Sequence, residues 1–450
     1  MDSRVARSIY EFLRRILKRR FSMIFFSPAR ALKAACRKPA RQNTLTALNA
    51  TGGDIRKAEE ISVYENVIAC PLTAATGENE PGILYFGGLV NPNTQALIRE
   101  AIHCRGTVCS QSLPATWAEK QIPVNCPEIG QPVLYGGILF NHFGHFILES
   151  LSRLYAYPMV RDIDPFVLFY NQWGMPRHLE KNNFVNQILT GLGIPVHRLI
   201  FVERVAKIRT VIIPAQKYGF GLTRRPDEMF LTFIRSFRFQ YKIPGGLKKA
   251  EKIYVSRSGL RSKGRQIGEK IFEAYLAGEG YRIFYPERHT FIEQLTVYAR
   301  AGKLIFSEGS ALFSCMFLPE MKADIAVVCR RREPDHSMRG VTDCLHDFGM
   351  NILWIDAMRE QYQFGLDTWD ALADIDWCEV SRLLRNHGFV NNPFRRLTDD
   401  EHLALVRSEL REYLREISGN PKFVDHMMQL KEIHPFRIEP LDPGDSRGGA

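Results

Sequence analysis

Within the run Asn141-His142-Phe143-Gly144-His145-Phe146-Ile147-Leu148-Glu149, an imidazole and a carboxyl stand four positions apart, at His145 and Glu149, just after a glycine-containing turn. That pairing suits proton transfer. Histidine ordinarily titrates near pH 6.5, and a neighbouring acid can orient the ring or share the task. If residues 143–157 are helical, positions four apart share a face. Phe143, Ile147, Leu151 and Leu154 then form the apolar stripe, and His145, Glu149 and Ser152 fall largely off it. The plain alternative for His145 is a helix-cap or packing histidine.

Two further clusters bear on phosphate chemistry. Ile253-Tyr254-Val255 reads as a strand that delivers Ser256 and Arg257 to its carboxyl end, followed by a basic loop with Arg261, Lys263 and Arg265. Arginine there suits bidentate contact with phosphate oxygens; the competing reading is a solvated basic loop. Phe306-Ser307-Glu308-Gly309-Ser310-Ala311-Leu312 reads as a strand, a glycine turn and a helix start, whose free N–H groups would bind a phosphate. Both clusters fall at one edge of a parallel sheet, so they can converge on one diphosphate.

The elements that must position these residues follow from pattern. Apolar runs at 83–86, 133–140, 166–170, 199–202 and 211–213 predict strands, with helices over 142–157, 181–192 and 227–241. Strand, turn and polar helix start is how open α/β sheets build sites at the carboxyl ends of their strands. After Pro244-Gly245-Gly246, a plausible hinge, strands at 253–255, 282–285, 304–306, 324–329 and 352–355 alternate with helices at 267–277, 290–300 and 311–317. Thr290 with Glu293 has the capping-box spacing. This alternation predicts a parallel sheet, and the two halves predict two Rossmann-like domains facing across a cleft. The expected division is an arm and linker over 1–60, a first domain over 61–243, a second over 247–360, a helical extension over 361–440 and a disordered tail over 441–450.

A chain of 450 residues exceeds one compact core. Residues 1–41 hold twelve Lys/Arg against Asp2 and Glu11, so this arm carries +10 of the net +11. The body is nearly neutral, which argues against a nucleic-acid-binding body. The arm mixes Lys/Arg with bulky apolar residues, as an interfacial helix on an anionic membrane does. Its apolar run at 23–26 is too short to span a bilayer and short for a secretion signal. Nine scattered cysteines without a CxxC pair suit reduced thiols in a cytoplasmic protein, with peripheral attachment to the inner face of the membrane through the arm left open. There is no Walker A sequence and no G-x-G-x-x-G. Asp162-Ile163-Asp164 and Asp374-Ile375-Asp376 have DxD spacing, but the first precedes its strand and the second falls in a stretch read as helical.

Taken in order, N-x-x-x-H-F-x-x-E (141–149), I-Y-V-S-R (253–257), G-Y-R-I-F-Y-P-E-x-x-T-x-x-E-Q (280–294) and S-E-G-S-A-L (307–312) resemble the family-61 glycosyltransferases. The resemblance is closest to bacterial capsular-polysaccharide members and covers roughly residues 80–335. It implies a GT-B fold with the donor bound mainly by the second domain. It also implies an inverting transferase that uses a nucleotide-sugar, with no cofactor and no obligatory metal, on a saccharide or glycolipid acceptor. By position, Asn141, His142, His145 and Glu149 match the acceptor side. Arg257, Glu293, Gly309 and Ser310 match the donor side, and Ser256, Arg261, Arg265 and Glu308 stand beside them as further donor-side candidates. Two departures stand out: Glu308-Gly309 where the family often has His-Gly, and Gly268-Glu269 where it often has Asn-Glu. Inversion needs a base opposite the leaving nucleotide; His145 and Glu149 are both candidates, and Arg257, Arg265 and the N–H groups near Ser310 would stabilise the leaving charge. The rival readings are a nucleotide-sugar epimerase of GT-B type and a non-catalytic nucleotide-binding subunit of a polysaccharide assembly complex.

Overall fold

Strands that are apolar at every position must be covered on both faces, and the strands of this chain that are read that way lie inside two sheets. The computed structural model describes residues 61–76, 83–105, 111–113, 126–171, 179–219, 226–238, 251–260, 264–331, 336–362 and 371–418. The basic arm and linker, the 244–246 hinge, Arg261 and Lys263, and the tail lie outside the described residues.

The first sheet is built from β1 (Ile61–Thr76), β2 (Ile83–Asn91), β3 (Val133–Leu139), β4 (Phe166–Asn171), β5 (Leu199–Phe201) and β6 (Ala206–Pro214), in the order β2-β1-β6-β3-β4-β5, with Ala96–Leu97 outside β2. β6, β3, β4 and β5 run parallel, whereas β1 and β2 are antiparallel to their neighbours. The sheet is thus mixed, a departure from the parallel Rossmann-like sheet expected. All seven residues of β3 are buried. A bulge between Tyr135 and Gly137 interrupts its alternation, with Gly137 at φ +92°. Leu134 and Leu139 consequently face one core while Tyr135 and Ile138 face the other.

Residues 142–157 do not form the single amphipathic helix expected. A turn of α-helix (Phe143–His145) passes into a π-helical turn (Phe146–Ser150), closed by Leu151 N–H donating to Phe146 O at 3.1 Å. A 3-10 turn (Leu154–Ala156) and another α turn (Tyr157–Val160) follow. The expected stripe residues Ile147, Leu151 and Leu154 are buried, but so are Glu149, Ser150, Ser152 and Arg153. From Phe146 to Tyr157 every residue is buried, so that stretch lies between packed layers and has no wet face. Ser150 Oγ donates to Ile138 O and accepts from Phe140 N–H, and Ser152 Oγ donates to Glu149 O.

The second sheet is wholly parallel: β7 (Glu251–Val255), β8 (Arg282–Phe284), β9 (Ala301–Ser307), β10 (Asp324–Val328) and β11 (Ile352–Ile355), in the order β8-β7-β9-β10-β11. The helices α1 (Phe184–Gly191) and α2 (Glu228–Arg235) precede it. α3 (Glu269–Gly278), α4 (Phe291–Tyr298), a 3-10 helix (Ser310–Phe317) and α5 (His336–Asp347) make its crossovers. Alternate residues divide between two cores: Ile253, Val255, Leu304, Phe306, Ile325 and Val327 on one face, Tyr254, Ile305, Ala326 and Val328 on the other.

The first of these cores is continuous with the first sheet, because Leu134, Val167, Phe169 and Ile212 belong to the same apolar cluster. Rings close the junction: Phe143–Phe291 at 5.9 Å, Phe237–Phe291 at 5.9 Å and Phe237–Phe317 at 5.0 Å between centroids. The halves are therefore joined by aromatic packing, with Ile292 N–H donating to Gln187 Oε1 at 3.3 Å beside it.

The extension after 360 is not all helical. Met358–Tyr362 and Leu372–Ile375 are strands that join Gln266–Ile267 in a three-stranded sheet. α6 (Trp377–Asn386) covers the outer face of the second sheet, with Trp377 stacked on Phe272 at 4.3 Å. α7 (Asp399–Ser418) packs Val406, Leu410, Tyr413 and Leu414 on Ile267 and Leu372. No helix among the described residues is long and apolar enough to cross a membrane.

Candidate functional site

The irregular helical run makes a contact that spacing alone could not guarantee. Glu149 Oε1 meets His145 Nδ1 at 2.5 Å. Its other oxygen, Oε2, meets His103 Nε2 at 2.8 Å. The Glu149 side chain is 0% exposed and that of His103 1%, whereas that of His145 is 26% exposed. One buried carboxylate thus bridges two imidazoles, of which only His145 reaches the surface. Wide π turns are rare and recur at functional sites; here the turn carries Glu149. His103 lies on the short strand His103–Arg105. Arg153, further along the same run, donates to Ile102 O at 3.0 Å and to Pro214 O, and so ties that strand to β6. Asn141 and His142 are exposed at the end of β3, and the His142 ring lies edge-on to His145 at 5.0 Å.

In the second sheet, β7 leads through α3 to β8 on one side, and the chain then crosses to β9 on the other. The strand order therefore reverses between β7 and β9, and ligands of open α/β sheets bind at the carboxyl ends beside such a reversal. Ser256-Arg257 and Glu308-Gly309-Ser310 follow those two strands directly. The Arg257 guanidinium lies against Gly309, filling the space a β-carbon would need. Its Nε and Nη2 donate to Gly264 O at 3.4 and 3.2 Å. Desolvation lowers the Arg257 pKa, opposed by the charges of Glu269 and Glu308.

Carboxylates support this edge from beneath. Glu269 Oε1 accepts from Arg257 N–H (2.9 Å), Tyr254 Oη (2.9 Å) and Ser256 Oγ (3.2 Å). Burial pushes the Glu269 pKa up to about 7, although the hydrogen bonds from Arg257 and Tyr254 pull the other way. Glu273 accepts from Ser256, Ser258 and Tyr285. Ser256 is thus wholly internal, bound between two carboxyls.

Glu308, also fully buried, holds two arginines that follow β10. Arg331 Nε and Nη2 donate to its Oε1, Arg330 N–H donates to Oε2 at 2.7 Å, and Arg330 Nε donates to its carbonyl. These arginines escaped the sequence reading. The signal was present, since a basic run directly after a predicted strand is the pattern that selected Arg257.

Two expected donor residues turn elsewhere. Arg265 is buried under α7, 3.6 Å from Glu416 and over the Tyr413 ring, because the chain around it enters the three-stranded sheet. It does not join the Arg257 cluster. Glu293 is the capping-box residue of α4 and accepts from Thr290 N–H and Oγ1 at 2.7 and 2.9 Å. Arg261 lies outside the described residues. The DxD spacings have structural partners: Asp164 pairs with Arg198, Asp374 with His402 at 2.9 Å, and Asp376 caps α6. Among the described residues no group of three or more His, Cys, Asp or Glu side chains is arranged to hold a metal ion.

The two clusters meet. A β-carbon on Gly144, next to His145, would stand 3.1 Å from Ser310 Cβ and 3.2 Å from the Phe313 ring. The turn that carries His145 therefore abuts the turn that carries Gly309 and Ser310, and that turn abuts Arg257. Such an arrangement brings the turn of a partly exposed imidazole against a helix start that itself abuts Arg257, a combination suited to group transfer from a phosphate ester.

Residues 143–328 match the family described as Glycosyltransferase 61, from the first residue of the helical run to the last of β10. The matched stretch contains His145, Glu149, Arg257, Glu269 and Gly309; it leaves out His103, Arg330 and Arg331. No curated protein matches the chain at a significant level. Residues 143–328 are a glycosyltransferase family 61 domain, and the protein that carries them is a glycosyltransferase.

Proposed function

We propose that the chain is an inverting glycosyltransferase of GT-B-like arrangement, moving a sugar from a nucleotide-sugar to a saccharide or glycolipid acceptor in surface or capsular polysaccharide synthesis. Residues 61–243 form the acceptor side and 247–360 the donor side. The observation that carries this reading is the abutment of the Gly144–His145 turn on Gly309–Ser310 beside Arg257. A glycosyltransferase has to hold a nucleotide-sugar and an acceptor together, and here the two kinds of chemistry share one junction.

His145 acts as base and Glu149 as its partner. Both Glu149 oxygens are occupied and its side chain is fully buried, so an acceptor hydroxyl has no access to it. With Nδ1–H bound to Glu149, His145 presents Nε2 as the acceptor of a proton. The acceptor oxygen attacks the anomeric carbon as its proton passes to Nε2, and the bond to the leaving phosphate oxygen breaks with its electron pair on the nucleotide. Arg257, with the N–H groups at Ser310, stabilises that charge. Arg330 and Arg331 take the supporting place first expected of Arg265. The transfer is proposed to need no metal, and the protein to work in the cytoplasm with residues 1–41 on an anionic membrane surface.

A panel of nucleotide-sugars, assayed with and without EDTA and with and without acceptor, tests the reading. Transfer that depends on acceptor and survives EDTA is expected. Donor turnover without acceptor, or loss of transfer in EDTA, would replace it.

A further inference from the structure

We infer that His103 is a positioning residue for proton transfer at His145, acting through Glu149. The inference rests on the reading of His145 as base. Glu149 has no water-facing surface, so each of its oxygens needs a donor within the protein. His145 supplies one and His103, 46 positions earlier in the chain, supplies the other at 2.8 Å. His103 Nε2–H donates to Oε2, which holds the carboxylate plane. Oε1 is then set to accept Nδ1–H of His145, and that bond selects the tautomer whose Nε2 can take a proton. Once His145 holds the acceptor's proton, the resulting cation faces a carboxylate that is already anchored on its far side.

The setting around His103 agrees with a fixed support. Its side chain is 1% exposed, so it touches no substrate. The Phe140 ring lies 5.6 Å from His103 and 5.7 Å from His145, packing against both imidazoles. Arg153 anchors the preceding residue through Ile102 O. His103 and Glu149 thus come from separate elements, both tied to the carboxyl-end region of the first sheet, and neither can drift from the other without breaking a buried bond.

His103→Phe keeps a ring against Phe140 and removes the donor, whereas His103→Gln returns an N–H near the place of Nε2. Steady-state kinetics on the full chain should show kcat for His103→Phe lower by about 10- to 100-fold, part of what acid–base catalysis contributes, with donor KM within twofold. His103→Gln should recover to within about threefold of the unchanged protein. If His103→Phe does not fold, His103→Asn, whose amide falls short of Glu149, carries the same expectation. Unchanged kcat in the folded Phe or Asn variant would overturn the inference, as would an equal loss in the Gln variant. His145→Ala runs beside them. If it is inactive while His103→Phe is fully active, only the inference fails; if it transfers normally, the base assignment itself fails.

Discussion

The two regions that meet at Gly144 and Ser310 build their chemistry in opposite ways. At the end of β3 a bulge, a π turn and a short helical run aim one half-exposed imidazole outward and bury its partners. At the second sheet the backbone is regular, and a parallel strand order alone brings Arg257 and Gly309 to one edge. Irregular backbone places a single group accurately, while topology places a whole edge, which then needs internal carboxylates to hold its arginines. Glu149 serves two neutral-or-charged rings; Glu269, Glu273 and Glu308 serve the strand ends and the arginines.

The sharpest way to break this comparison is kinetic. His145→Ala should lower kcat by about 10²–10⁴-fold with little change in donor KM, whereas Arg257→Ala should lower kcat and also raise donor KM. Steady-state kinetics that give both variants the same signature would erase the division between a proton side and a phosphate side. Next in size, Glu308→Ala removes the carboxylate that pairs with the Arg331 guanidinium, 5% exposed, and accepts from Arg330 N–H. Removing one partner of a buried ion pair costs about 3–5 kcal/mol, so denaturant unfolding should show a loss of that order; a loss below about 1 kcal/mol would mean the pair is not buried as described.

Glu269 sharpens the comparison through pH. Its pKa rises from 4.5 to about 7 in the folded chain, chiefly through burial. Folding therefore favours its protonated form: the contribution is whole below about 4.5 and is lost as pH climbs through 7. A shift of this size is worth about 3 kcal/mol. Glu269→Gln should flatten the fall in stability between pH 5 and 8, and thermal unfolding curves with the same slope in both proteins would discard the assignment. The smallest effect belongs to Thr290→Ala, which removes the α4 cap at a cost of about 1 kcal/mol. Its donor KM should stay unchanged, since Glu293 is read here as a cap; a raised donor KM would return Glu293 to the donor site.

Much of the second region was legible because its signals are local. Strand ends at Val255 and Phe306, the latter one residue short of the observed Ser307, the Thr290–Glu293 box and the glycine turn at 309 each depend on a few neighbouring residues and recur in the structure. The helical reading of 361–440 missed the strand Leu372–Ile375, which lies between Met358–Tyr362 on one side and Gln266–Ile267, far earlier in the chain, on the other. α5, with a largely polar sequence, was missed as a crossover. Arg265 looked like part of a basic loop; its fate was decided by α7, which supplies Tyr413 and Glu416.

Residue type and short-range spacing determined that this chain has parallel α/β units, a histidine and an acid four apart after β3, and arginine at a strand end. Only the tertiary structure decided which acid oxygen meets which ring. His103 reaches Glu149 across 46 positions, and the Gly144 turn reaches Ser310 across more than 160. Periodicity reports which face of an element is apolar. It carries no record of what is packed against that face, and a proton-transfer geometry is set by that packing.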